Sequence, residues 1–279
     1  MRGNHKTKPI DDLIAEATSL AMQGVKELIL IGQDTTDYGN DLYGKRNGAE
    51  LLRKLSEING IKWIRLLYVY PSHFPDDMID EIANNPKICK YIDIPLQHIS
   101  DPVLKSMRRG ITQRRTKELL INLKQRIPNL TLRTTFIVGY PNETEKEFQE
   151  LCDFVREIKF DRFGVFNYSI EENTPSFILG DPVSAEQKEE RKATLMEIQQ
   201  EISEEKNREL IGKTIKVIID EFNGEHFIAR SERDAPEVDG EVLIQAEKNS
   251  LIIGNFYIVE IIDCNEYDLF GKIISPEGI

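Results

Sequence analysis

The chain has 279 residues, 40% hydrophobic and 30% charged, with a net charge of −12. That size supports a large core, and no apolar run reaches the roughly 18 residues a membrane helix needs. No apolar stretch of the kind a secretory leader carries follows the first basic residues, so the cytoplasm is the expected compartment. The acidic excess argues against general nucleic-acid binding, which neutralises phosphate with Lys and Arg, and suits a basic protein partner better.

In chain order, a helical period over 10–23 is followed by an apolar run, Glu27–Gly32, that reads as a buried strand. Helical stretches near 48–58, 76–84, 114–126 and 143–158 then alternate with apolar runs at Trp63–Tyr70, Tyr91–Pro95, Leu132–Val138 and Phe163–Tyr168. The acids in Pro75-Asp76-Asp77 and Asn142-Glu143-Thr144-Glu145 mark helix starts. Strands alternating with helices imply a parallel sheet with right-handed crossovers, an α/β class. Both a barrel and a doubly wound sheet place ligands at the carboxyl ends of their strands. No GxGxxG follows any strand, which counts against a dinucleotide site.

A long charged helix over about 183–209, with Met196, Ile198 and Ile202 inside its pattern, leads to a different texture after Gly212. Five short β-rich runs broken by Gly, Asn and Asp predict a small closed β-barrel. The expected domains are residues 1–205 and 206–279. The second holds eight Lys or Arg against fifteen Asp or Glu, a net of −7 and over half of the total.

Polar residues cluster where strands end. Gln33 and Asp34 together accept from an ammonium and donate to a carboxylate, which suits an amino-acid-like ligand; a capping turn explains them too. Asp93–Asp101 contains Gln97, His98 and Ser100; Ser100 or Asp101 also reads as a helix cap, and a lone His98 is weak evidence for metal. In Thr134–Thr144 a strand runs into Gly139 and Pro141; a glycine there lets a flat ring approach the backbone, and a plain turn also needs one. Cys89, Cys152 and Cys264 are too far apart for a disulfide framework or a metal motif.

Taken together, Leu30–Thr36, Asp93–His98, Met107–Gly110, Arg133–Pro141 and Phe163–Ser169 resemble the strand-end motifs of the methylthiotransferase branch of the radical S-adenosylmethionine enzymes, over nearly the whole chain. The resemblance implies a partial (β/α) TIM-like barrel followed by a small all-β, OB-like TRAM barrel. Gln33–Gly39 and Ala229–Gly240 resemble the branch that modifies a ribosomal protein rather than tRNA, and the −7 barrel is expected to repel tRNA. The implied reaction adds a methylthio group to the β-carbon of an aspartate in a basic small-subunit ribosomal protein. It uses S-adenosylmethionine, two 4Fe–4S clusters and an electron donor such as flavodoxin.

For the S-adenosylmethionine cradle the resemblance implies Gln33 and Asp34 at the methionyl amino end and Gln97, Ser100 and Arg133 near the carboxylate and ribose. Thr135, Val138 and Gly139 are expected along the adenine, with Tyr168 as a wall. Arg133 equally suits a structural ion pair. Asp234, Glu237 and Asp239 are the expected substrate contacts. The family's cluster-binding Cys-x3-Cys-x2-Cys is absent, since Arg2-Gly3 falls just beyond it. The first barrel strand and an N-terminal cluster domain are expected to be missing too, so the chain alone should bind no catalytic cluster and be inactive. A tRNA adenosine methylthiotransferase and a cluster-free binding module for a ribosomal protein are the alternatives.

Overall fold

The computed structural model describes residues 6–172, 174–245 and 251–277; Arg2 and Gly3 lie outside the described residues. In chain order the first part is α1 (Ile10–Met22), β1 (Glu27–Leu30), α2 (Asn40–Tyr43), α3 (Gly48–Ser56), β2 (Trp63–Leu66), α4 (Asp76–Asn84) and β3 (Ile88–Asp93). It continues through α5 (Asp101–Ser106), α6 (Gln113–Arg126), β4 (Thr131–Val138), α7 (Glu145–Ile158), β5 (Arg162–Asn167) and α8 (Ala185–Arg208). β1 to β5 form one parallel sheet in sequence order, the topology of a half-barrel.

Period-two alternation assigns the two faces of this sheet. Leu28, Ile64, Leu66, Ile92, Leu132, Phe136, Val138 and Val165 belong to one apolar core with residues of the helices. Phe136 is its centre, meeting Phe154, Phe160 and Phe163 edge-on at 6.4, 5.8 and 5.5 Å between ring centres. Each such pair adds ~0.5–1.5 kcal/mol beyond area burial. The residues of opposite parity, among them Arg65, Tyr91, Arg133, Thr135, Gly164 and Phe166, face away from the helices and form the inner face.

β2 was expected to reach Tyr70, but it stops at Leu66. Tyr68 takes φ +58°, which turns the chain, and its N–H reaches the Asp93 carboxylate at 3.3 Å.

After α8, strands β6 (Thr214–Phe222), β7 (His226–Ser231), β8 (Val242–Gln245), β9 (Phe256–Cys264) and β10 (Leu269–Pro276) close into a barrel in the order β10-β8-β7-β6-β9. Its own core is built on Val217, Ile219, Ala229, Val242, Val259 and Ile261. Gly271 allows the closure, since a Cβ there would sit 2.3 Å from Val259 Cγ1.

Candidate functional site

The small barrel seals the amino-terminal half of the half-barrel's inner face. Trp63, Cys89 and Tyr91 pack with Ile218, Ala235 and Phe256, and the Trp63 ring meets Phe256 edge-on at 4.8 Å. Around this contact lies a layer of desolvated charge. Arg65 pairs with Glu27 at 2.9 Å and donates to the Glu232 carbonyl at 2.9 Å. Arg230 reaches Glu27 at 2.8 Å and Asp220 at 2.6 Å. Arg162 holds Asp234 through two nitrogens at 2.6 and 3.1 Å. Tyr91 donates to Asp239 at 2.6 Å.

This layer holds three of the expected residues. Arg133 pairs with Asp93 at 2.9 Å and Asp239 at 3.3 Å, the structural ion pair that its sequence left open beside a place in the cradle. Asp234 and Asp239, expected to meet a substrate, have side chains only 2% exposed. Their charge is spent on Arg162, Arg133 and Tyr91. Burial raises the Asp239 pKa, against the lowering effect of the Tyr91 hydrogen bond. Glu237, between them, is exposed, with φ +67°.

The carboxyl-terminal half of the inner face remains open. It presents Thr135 and Ile137 from β4, Gly164 and the exposed Phe166 from β5, and the exposed Ile31 just past β1. Gln97 extends β3 over this region: at φ +71° its N–H donates to the Thr135 carbonyl at 2.9 Å and its carbonyl accepts from Ile137 at 2.8 Å. Its side-chain Oε1 is buried with no hydrogen-bond partner, and an unmade bond of this kind costs ~1–3 kcal/mol. Ile137 also touches the small cluster of Val103, Tyr140 and Tyr168, in which the two tyrosine rings meet edge-on at 5.2 Å.

Behind Gln97 lies a buried network. His98 Nδ1 accepts the Ser100 N–H at 3.0 Å, so the ring proton sits on Nε2, which points at Glu143 Oε2 at 3.1 Å. Glu143 Oε1 accepts from the Gly139 N–H at 2.9 Å and from Arg191 of α8 at 2.7 Å. Arg109 adds a clamp, donating to the Pro95 carbonyl at 2.6 Å with its guanidinium over the Tyr70 ring. His98 therefore holds two loops together and is no ligand.

One further expectation changes here. The Val138 side chain lies in the helix-side core, and its carbonyl is taken by the Tyr168 N–H at 2.8 Å. Gly139, at φ +74°, leaves room for Lys188, whose Cγ would stand 2.3 Å from a Cβ there. Lys188 in turn donates to the Tyr168 carbonyl at 2.9 Å and pairs with Asp181. Asp34 caps the turn Thr35–Asp37 by accepting the Thr36 N–H at 2.9 Å, and Gln33 is exposed beside it. Ser100 is buried at the start of α5. Ile137, Glu143 and Arg191 carry parts of the site that the sequence reading passed over. Strand parity was the available signal: if Thr135 faces inward, Ile137 does too and Val138 cannot.

The open half fits S-adenosylmethionine, because Gln97 Oε1 lacks the donor that a ligand ammonium or hydroxyl brings, and Thr135 and Ile137 give a partly apolar floor. The described residues offer no ligand set for an iron–sulfur cluster. Among the described residues no group of three or more His, Cys, Asp or Glu could hold a metal ion. Burial also raises the thiols of Cys89 and Cys152, to about 12 and about 11.

Comparison with known proteins agrees with this geometry. Residues 1–155 match the model of the radical SAM superfamily, and residues 211–274 match the TRAM domain. A protein from Cytophaga hutchinsonii named ribosomal protein uS12 methylthiotransferase RimO is 51% identical over 275 residues, 99% of this chain and 63% of its own length. Its namesake from Flavobacterium johnsoniae is 52% identical over 98% of this chain and 62% of its own length. The one from Chloroherpeton thalassium is 50% identical over 98% of this chain and 64% of its own length. The chain thus spans less than two thirds of these relatives. Among solved structures, coproporphyrinogen III oxidase HemN from Escherichia coli, a radical SAM enzyme, superposes over 95% of this chain and 64% of its own, with a TM-score of 0.55 at 15% identity.

Proposed function

The chain belongs to the radical S-adenosylmethionine superfamily, and from that premise we propose that it is the cofactor-cradling half-barrel and TRAM barrel of a uS12 methylthiotransferase. The product is a methylthio group on the β-carbon of one aspartate of this small-subunit ribosomal protein. The observation that carries the reading is the identity of about half of all residues, across nearly the whole chain, to proteins named for that activity. When bound, S-adenosylmethionine supplies hydrogen abstraction by a radical and a methyl group.

The chain's own part is to bind and orient. Gln97 Oε1 would accept from the methionyl or ribose end, with Ser100 beside it and Gln33 and Asp34 across the sheet. Thr135 and Ile137 would floor the adenine, with Tyr168 closing the side. His98, Glu143 and Arg191 hold these loops in place before any ligand arrives. No helix among the described residues is long and apolar enough to cross a membrane, and the reading places the protein in the cytoplasm, where ribosomes are made.

A chimera tests this. The matching 275 residues of the C. hutchinsonii protein are replaced by this chain, the iron–sulfur clusters are rebuilt, and uS12 is supplied with S-adenosylmethionine, sulfide and a reductant. We expect uS12 to gain the mass of one methylthio group. A chimera that modifies tRNA, or that leaves uS12 untouched where the parent enzyme modifies it, overturns the reading.

A further inference from the structure

We propose that the arch between β5 and α8, described over residues 168–172 and 174–182, is the anchor that seats the basic substrate protein over the open half of the inner face. This rests on the uS12 reading above and assigns it a contact surface that Asp234 and Asp239 do not provide.

The arch is held at both feet. Tyr168 is buried, its N–H tied to the Val138 carbonyl at 2.8 Å and its hydroxyl to the Ser176 carbonyl at 3.3 Å. Lys188 clamps the Tyr168 carbonyl and Asp181 together. Within the arch, the Thr174 hydroxyl donates to the Glu171 carbonyl at 2.7 Å, and a 3-10 turn over Phe177–Leu179 is closed by the Leu179 N–H on the Ser176 carbonyl at 3.0 Å.

What this frame presents is apolar. Ile178 is 87% exposed, and Phe177, Leu179 and Ile170 are exposed around it. Phe166, at the end of β5, is 62% exposed and faces the same open half. Five large exposed apolar side chains fall within fourteen residues, three of them consecutive at Phe177–Leu179, on a connection that leaves the carboxyl end of β5, and exposed apolar side chains grouped in this way mark an interaction site. Preorganisation lowers the entropy cost of docking on it.

Charge selects the occupant. Between Phe166 and Gln187 there is no Lys or Arg, and Glu171, Glu172 and Glu186 are exposed, while the Asp181 carboxylate is taken by Lys188. An apolar tip ringed by carboxylates repels nucleic acid and fits a basic protein that offers an apolar side chain. A ribosomal protein, whose surface neutralises RNA phosphate, has that chemistry.

Binding of isolated uS12 to this 279-residue chain, followed by biolayer interferometry, tests the proposal. Ile178→Asp should weaken binding about tenfold or more, as loss of a central apolar anchor does. Glu171→Lys with Glu172→Lys should slow association and flatten its salt dependence. Met22→Asp, on the exposed side of α1, should change neither. Unchanged affinity of Ile178→Asp overturns the arch alone and leaves the uS12 reading standing. An unaltered chain that binds tRNA and not uS12 overturns the reading itself, and the arch with it.

Discussion

His98 Nε2 lies 3.1 Å from Glu143 Oε2, and neither side chain has any exposed surface. The same carboxylate takes Arg191, 5% exposed, at 2.7 Å. Glu143→Gln removes the charge and leaves the buried guanidinium with the Glu143 carbonyl at 3.1 Å and only the exposed Glu145 carboxylate at 3.7 Å. We expect a loss of about 3–5 kcal/mol in unfolding free energy by urea titration. Adding Arg191→Met removes the stranded charge, so the double variant should be more stable than the sum of the single losses implies.

The domain seal makes a second prediction. Asp234 is held by two nitrogens of Arg162, and Ser231 donates its hydroxyl to the other carboxylate oxygen at 2.7 Å. Asp234→Ala and Arg162→Ala should each cost about 3–5 kcal/mol. Combined, they should fall short of additivity by well over 0.5 kcal/mol in a double-mutant cycle. Additive losses would mean that the two residues stabilise their domains separately.

Gly139→Ala places a methyl group in a left-handed backbone and into the stem of Lys188. The conformation alone costs ~1–2 kcal/mol, and overpacking adds ~1–3 kcal/mol. In a Lys188→Ala background the overpacking part should disappear and the backbone part remain. Thermal melts of the four proteins separate the two contributions.

Alkaline pH should weaken the fold through Cys89. Burial holds this thiol at about 12, against an ordinary value of 9.0. Above pH 9 the unfolded chain gives up the proton while the folded chain keeps it, so the folded state binds more protons and stability falls as pH rises. The stabilisation is complete below pH 9 and lost on the way to pH 12, at about 1.4 kcal/mol per pH unit. Cys89→Ala should remove about 2 kcal/mol of the stability difference between pH 8 and pH 10.5. An equal fall in the variant would assign the effect to other groups, such as Tyr91, which burial also pushes up.

The α/β half-barrel and the five-stranded small barrel were legible in the sequence because their signal is local: period two, period 3.6, and helix starts such as Asn142–Glu145, where Thr144 is the cap. Tyr68 escaped that reading because a tyrosine at positive φ has no sequence signature. The site divided along the same line. Gln97 was visible as a polar residue just past a strand, whereas the partners of Arg133, Asp234 and Asp239 lie in pairs 72 and 106 residues apart. A carboxylate on a turn looks the same in the chain whether it meets a solvent-borne partner or an arginine of the other domain. Gly139 needed its neighbour Lys188, 49 positions on, before its reason could be told.

Glu27 accepts from Arg65 on the neighbouring strand and from Arg230, 203 residues further along. At a synthesis rate of about 5–20 residues per second, the second donor leaves the ribosome some 10–40 s after the carboxylate it completes. For most of that interval Arg65 has no small barrel to meet, and Arg162 of β5 emerges only 68 residues ahead of Arg230. Release of β7, rather than formation of β1 and β2, therefore sets the moment at which the Glu27 carboxylate has both of its arginines.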